Sequence, residues 1–513
     1  MDRRLFLKAT TGLVALAGTG LQTAKGFLPA HNWDGYHFGS GPIVNDRLNQ
    51  GPFPIYPPEE VVPDSFVVMA TTPSKKVLNN FGMGLTTYLC DEAGPAQRDG
   101  EDLKTSLEKL IKMDLSHKLY IRLDWRDIQS KKGKLDLCDH WKIAFDLAQK
   151  YDKRIGIRVQ LMSPVIKPHS VPDFVADKIP FVKLGKTKEI GIKGKTHYAP
   201  RYDHPEFMKA FREMDDLLAD KYNGHANIEF VDTCMYGFWG EGHSWPFESN
   251  SFPDYQTAEK TNLEMLNHQL QNWTKTPLVT NTQPDWSRVG NAEVLDRTIR
   301  THNWLRTDTI FIENMQIESL SNRPDWIGTI LENGMSDGSA KSLRMNEGIP
   351  ISDSVFYHFK DVGAHYGSLW NWHRIQAERI MNYYDQFPAA IDDLASSIGY
   401  RVRPSWVWSY EKDGQPGIIL GMVNDGVAGV PGVLRLTVTN EAGKILSSGC
   451  LDPGYPKPTG VRQAQLILPK GTDWKSLRVR ADIEVKGQTY PVEWACHQKL
   501  NSDGSLMLKP NLG

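Results

Sequence analysis

From about residue 78 to residue 397 the chain repeats one pattern. A short apolar run, rich in β-branched and aromatic residues, is followed by a longer run with apolar residues every three to four positions. No other feature limits the fold as strongly. A helix between two strands returns the second strand parallel to the first, so repetition builds a parallel sheet. The strand-like runs are Phe81–Leu89, Lys118–Leu123, Arg154–Met162, the stretch from Asn227, Pro277–Thr282, Thr309–Met315, Ser342–Gly348 and Ser368–Trp372. The helical runs between them are Asp102–Met113, Trp141–Tyr151, His204–Tyr222, Asp254–Trp273, Asn291–Trp304, Ser321–Glu332, Ser352–Val362 and, last, Arg374–Asp385. Eight of each in about 310 residues predicts a (β/α)8 barrel over 78–397. A long Pro- and Lys-rich excursion, 163–203, interrupts the third unit, and such loops are usually functional or disordered.

A chain of 513 residues exceeds one ordinary domain. From about Ile398 the pattern changes to short alternating runs, Gly417–Val423, Val433–Thr439, Ala464–Leu468, Leu477–Val485 and Thr489–Trp494, separated by turn sequences such as Asn424-Asp425-Gly426. This predicts an accessory β-sandwich over 398–513, either carbohydrate-binding or stabilising. Residues 27–77, rich in Pro, Gly and Asn, read as an extended segment lying over the barrel.

Net charge is −2, so there is no basic footprint for nucleic acid. The five cysteines show no CxxC and no metal-ligand spacing, which argues against a zinc ribbon or an iron–sulfur centre. No metal and no cofactor is expected. Cys450 and Cys496 share the C-terminal region and are the one pair considered for a disulfide. Fifteen tryptophans are many, and an excess near loop ends favours stacking on flat ligands such as sugars.

Asn227–Trp245 reads N-I-E-F-V-D-T-C-M-Y-G-F-W-G-E-G-H-S-W. It begins as a buried strand and breaks at Gly237, Gly240 and Gly242, with Glu241 in the turn beside Trp239, His243 and Trp245. Chemistry in this fold sits where strands end. Glu241 follows the fourth run, and Glu347 ends the seventh. The pair resembles the catalytic arrangement of the clan A glycoside hydrolases. Tyr202–Phe207, Val231–Thr233 and Tyr236–Glu241 are similar to barrel proteins of the β-galactosidase-like branch. The resemblance implies retaining hydrolysis of a glycosidic bond in an oligo- or polysaccharide, with Glu241 as acid/base and Glu347 as nucleophile. Glu313 competes with Glu347 for the second role. Many members carry Asn immediately before the acid/base, to bind the sugar 2-hydroxyl. Gly240 stands there here, so that contact falls to Asn281, Asn314 or Gln160.

Apolar walls raise a carboxyl pKa, and cations lower it. Phe238, Trp239 and Trp245 suit Glu241 to the acid role, and Arg122 or Arg158 would lower its partner. Asp232 lies within the fourth strand and is expected to pair with Arg158 or Arg122, or to touch substrate. Arg122, Asp124 and Arg158 read as a charge network at the site floor, His243 as a hydrogen-bonding neighbour, and Trp372 as a platform under a sugar ring.

Residues 1–26 read as a leader. Arg3-Arg4-Leu5-Phe6-Leu7-Lys8 resembles the twin-arginine export motif, with Asp2 where Ser or Thr is usual, and Thr11–Leu21 is too short and Gly-rich to span a bilayer. That implies a periplasmic or secreted product with no membrane insertion of the mature chain. Two other functions compete: a non-catalytic carbohydrate-binding barrel, and a twin-arginine-exported oxidoreductase. Against the second, no GxGxxG opens a helix after a strand in the mature chain. The sugar, its linkage and the oligomeric state are not legible.

Overall fold

The computed structural model describes residues 67–69 and 71–508, apart from 91–93, 164–168, 187–193, 246, 248, 250, 283–290, 308–319, 321, 333–355, 357, 371–373 and 413. In chain order its strands are β1 (Val67–Met69), β2 (Gly84–Tyr88), β3 (Lys118–Asp124), β4 (Ile155–Gln160), β5 (Phe181–Lys186), β6 (Thr196–Pro200), β7 (Ile228–Asp232), β8 (Leu278–Asn281), β9 (Trp304–Thr307), β10 (Thr329–Leu331) and β11 (Tyr366–Ser368). Then follow β12 (Val402–Lys412), β13 (Gln415–Asn424), β14 (Val433–Thr439), β15 (Ile445–Cys450), β16 (Val461–Ile467), β17 (Arg478–Val485), β18 (Gln488–Val492) and β19 (Leu506–Met507).

Strands β2, β3, β4, β7, β8, β9, β10 and β11 pair in that order, all parallel, and β11 closes on β2. This is the expected eight-stranded barrel. The hairpin β5–β6 sits in the long excursion after β4. Helices form where expected at Leu103–Lys112, Asp139–Lys150, Pro205–Tyr222 and Tyr255–Asn272. Pro205 occupies the first turn of its helix, and Asp102 and Asp254 cap theirs by accepting from Thr105 N and Thr257 N.

Alternation along the strands builds two stacked layers inside the barrel. Tyr120, Phe230, Val279, Trp304, Ile330 and Tyr366 form one buried apolar layer. Two residues further along the same strands come Arg122, Asp232, Asn281, Arg306, Glu332 and Ser368, all buried. Polar groups are thus stacked on the C-terminal side of an aromatic floor. Phe230 enters the barrel through a bulge, where Glu229 is the extra residue between the pairs Ile155–Ile228 and Gly156–Phe230. Its ring fills the space of a side chain at Gly156, where a Cβ would stand 2.3 Å from Phe230 Cζ.

Three expectations are corrected. The sixth strand is Trp304–Thr307, ahead of the expected Thr309–Met315, which lies outside the described residues, and the helix before it stops at Arg300 instead of running to Trp304. The seventh is Thr329–Leu331, inside the stretch expected to be the sixth helix, and Ser342–Gly348 lies outside the described residues. Residues 67–77 do not lie over the barrel. β1 pairs with β12, and Ser74 N donates to Ala495 O, so the segment is sewn to the C-terminal sheets.

Those sheets are β1-β12-β13-β16 and β15-β14-β17-β18, the latter with β19 on β17, and they make the expected sandwich. Its core runs into the barrel's aromatic layer as one cluster, because it packs on the N-terminal ends of the barrel strands. Tyr490 stacks on Phe81 at 3.7 Å, Tyr400 donates to Phe81 O, His365 Nε2 meets Gly429 O at 2.8 Å, and Lys486 Nζ donates to Asn303 Oδ1. Cys450 is exposed, Cys496 is buried, and the two are not bonded.

Candidate active site

β7 ends at Asp232, and the chain then folds back over the barrel mouth to bring in Glu241. The turn is tight. Phe238 N donates to His243 O, Glu241 N to Phe238 O and Gly242 N to Tyr236 O. Gly237, Gly240 and Gly242 all have φ between 76° and 80°. At Gly237 a Cβ would stand 1.9 Å from the His243 carbonyl oxygen, so only glycine fits. Trp239 also has a left-handed backbone, φ 56°, and is held there because its N–H donates to Met162 O at 2.9 Å and its carbonyl accepts from Arg158 Nη1 at 3.0 Å.

Three guanidiniums and three carboxylates meet below this turn. Arg158 on β4 donates Nε and Nη2 to Asp232 Oδ2 at 2.9 and 2.8 Å, and Nη1 to Glu241 Oε1 at 2.7 Å. Arg122 Nη1 on β3 lies 3.8 Å from the same Glu241 oxygen. Arg306 on β9 lies between the acids: Nη2 is 3.3 Å from Glu241 Oε1 and bonds Glu332 Oε2, while Nε is 3.5 Å from Asp232. Glu332 directly follows β10, the seventh barrel strand. Two carboxylates on one guanidinium nitrogen are separated by at most two hydrogen-bond lengths, about 6 Å. All six side chains are under 4 % exposed.

Burial pushes the Glu241 carboxyl up, but the hydrogen bond from His243 and the charges of Arg158 and Arg306 outweigh it and hold the group well below the usual carboxylate range. Glu241 is therefore ionised. The expected apolar walls exist, since Phe238 and Trp239 are buried, but Trp245 is 44 % exposed and the guanidiniums prevail. The acid role foreseen for Glu241 does not fit this environment.

The other expected site residues divide clearly. Asp232 pairs with Arg158 and accepts from Tyr120 Oη at 2.5 Å. His243 Nε2 lies 3.3 Å from Glu241 Oε2. Asn281 ends β8 and donates to the Glu241 carbonyl at 3.0 Å, so it fixes the turn. Asp124 and Gln160 end β3 and β4 opposite each other. Glu313, Asn314, Glu347 and Trp372 lie outside the described residues. Arg306, Glu332 and Trp370 were missed. Trp370 stacks on Tyr88 at 4.6 Å, with Arg122 5.3 Å from its ring. The alternation in Trp304-Leu305-Arg306-Thr307 was the available signal for β9. Thr329-Ile330-Leu331 before Glu332 was the signal for β10.

Several polar atoms at this mouth have no hydrogen-bond partner among the described residues: Arg122 Nε and Nη2, Gln160 Oε1, Trp239 Nε1, His243 Nδ1 and Trp370 Nε1. Donors and acceptors are mixed among them, as a ligand with several hydroxyls requires. Among the described residues no group of three or more His, Cys, Asp or Glu is placed to hold a metal ion, and no helix is long and apolar enough to cross a membrane.

No protein-family model matches the chain, and no curated protein matches it. Similar solved structures include endo-glycoceramidase II from Rhodococcus sp., at 11 % identity and TM-score 0.36, covering 79 % of this chain and 100 % of that one. They include a D-allulose 3-epimerase from Methylomonas sp., at 12 % identity and TM-score 0.32, covering 64 % and 96 %. A psychrophilic glycoside hydrolase family 10 endo-beta-1,4-xylanase matches at 9 % identity and TM-score 0.32, covering 56 % and 87 %.

Proposed function

We propose that the chain is a glycoside hydrolase that cleaves an O-glycosidic bond in an oligo- or polysaccharide with retention, using Glu241 and Glu332 as its two carboxyl groups. One observation carries this reading: glutamates after the fourth and seventh barrel strands sit on the same Arg306 nitrogen. A separation of about 5 Å suits retention, and roughly 6.5–9.5 Å suits inversion. The unpartnered donors and acceptors around the pair supply contacts for sugar hydroxyls.

Glu241, held ionised, suits the nucleophile. Glu332 is then the proton carrier, and it must loosen from Arg306 as substrate enters. The Glu241 carboxylate attacks the anomeric carbon while the leaving oxygen takes the Glu332 proton. Water then cleaves the glycosyl–enzyme bond, giving its proton back to Glu332. The leader reading adds that the mature protein is periplasmic or secreted.

A screen of aryl-glycosides with Glu241→Gln and Glu332→Gln tests the pair. Each variant should lose at least about 10²–10⁴-fold in turnover. With glycine at these positions and azide added, the nucleophile variant should release a glycosyl azide of inverted configuration, and the proton-carrier variant one of retained configuration. Unchanged turnover in Glu241→Gln would sink the proposal, and swapped azide products would reverse the roles. One observation favours the non-catalytic sugar-binding alternative: both carboxylates are already engaged by guanidinium groups.

A further inference from the structure

A second feature of the mouth lies outside the carboxylate cluster. The excursion after β4 folds the hairpin β5–β6 against the turn that carries Glu241. His197 packs edge-on to Phe238 at 5.8 Å and against Phe247 at 5.4 Å, and Phe238 also stacks on Phe247. Met162 O accepts from Trp239 N, so the end of β4 is bonded to the same turn. Between β4 and the hairpin a pocket opens, with Met162, Ser163, Phe181, His197 and Tyr198 in its wall.

The pocket has three informative properties. Its water-accessible volume is about 30 Å³, room for about two water-sized groups. Tyr198 in its wall is 47 % exposed, whereas its neighbour His197 is 1 % exposed. His197 Nε2 has no partner among the described residues. A buried imidazole nitrogen without a partner is costly and is normally matched by something. Burial also lowers the His197 pKa, which keeps the ring neutral and able to accept from a hydroxyl.

We propose that this pocket is a secondary subsite for a hexopyranose unit of the same saccharide chain, with the ring lying on Tyr198 and its exocyclic hydroxymethyl group entering the pocket toward His197. The inference rests on the glycosidase reading and deepens it. The substrate then extends beyond the bond that is cut, and its units are hexoses, not pentoses. Phe238 backs His197 and lies three residues before Glu241, so the pocket borders the turn that carries the carboxylate.

The test uses the full-length protein with Tyr198→Ala and, separately, His197→Gln. On an aryl monoglycoside that the wild type cleaves, Tyr198→Ala should leave kcat/KM unchanged. On the matching oligosaccharide of five or six units it should raise KM about five- to tenfold with kcat unaltered. Direct binding is read by calorimetry in the Glu241→Gln background, using pairs that differ only in the hydroxymethyl group: cellohexaose with xylohexaose, and a galactopyranosyl oligomer with its arabinopyranosyl counterpart. The hexose member of a pair should bind at least about fivefold more tightly, and His197→Gln should remove that preference. Equal affinity within the pairs, or oligosaccharide kinetics unchanged by Tyr198→Ala, would overturn the subsite while leaving the glycosidase reading intact. Wild-type protein that cleaves no glycoside would remove the reading itself.

Discussion

Replacing Arg306 with Met gives the sharpest consequence of the cluster. Arg306 touches Asp232, Glu241 and Glu332, so its loss leaves two guanidiniums among three buried carboxylates. Glu241 and Glu332 would then lose the cation that bonds them both, while Arg158 and Arg122 stay beside Glu241. At about 6 Å and an effective dielectric of about 20 the repulsion between the two glutamates is about 3 kcal/mol. Part of that repulsion appears as a raised pKa, so Glu241 should titrate higher than it does in the wild type. The sign follows. A carboxyl whose folded pKa is raised destabilises the protein fully above that pKa, and the penalty fades as pH falls toward the unfolded value. In the wild type Glu241 is depressed instead and makes no such demand. Arg306→Met should therefore lose about 3–5 kcal/mol at pH 8 and recover about 2 kcal/mol of the difference from wild type by pH 5, where an unfolded glutamate is still mostly ionised. Urea unfolding of both proteins at the two pH values measures it. A difference from wild type that is the same at pH 5 and pH 8 would show that the two glutamates are not coupled through Arg306.

Gly156→Ala should destabilise by about 1–3 kcal/mol, because its methyl group meets the Phe230 ring, and Phe230→Leu should recover part of the loss in a double-mutant thermal-unfolding cycle. Burial holds His117 and His140 at about 4 and His365 at about 3, all below the ordinary value near 6.5. Each is neutral when folded and takes a proton on unfolding, so stability is complete above about pH 6.5 and is lost as pH falls. Between pH 6.5 and pH 5 it should drop by at least about 2 kcal/mol per pH unit in denaturant titrations, and a flat profile would contradict the buried neutral imidazoles.

The barrel was legible because its period is strong in the first five units, where long amphipathic helices such as Pro205–Tyr222 follow strands bounded by turn residues. The reading slipped where elements became short. β9 has four residues and β10 three, too few to show alternation against neighbouring helical patterns. Trp304 was drawn into the preceding helix, and Thr329–Leu331 was taken for the interior of another. With them went Arg306 and Glu332. Glu241 stood out because Gly-Glu-Gly needs a reason. Its charge state was not legible, because the deciding guanidiniums come from β4 and β9, and one sequence does not show which arginines converge. Long-range pairing also hid the fate of residues 67–77, whose partners lie more than three hundred residues away.

The sandwich under the barrel also bears on how the chain is made. Thr72 N donates to Gln498 Oε1 across 426 residues of sequence. Phe81 and Trp304 reach their full burial only beside Tyr490 and its neighbours. During synthesis the barrel strands emerge first, with an apolar lower end that nothing yet covers. The cover comes from residues after 398, and β1 must wait for β12 to acquire a partner. The floor is thus covered only once the strands after residue 397 are made, and a nascent chain halted near that residue presents its floor to whatever chaperone is at hand.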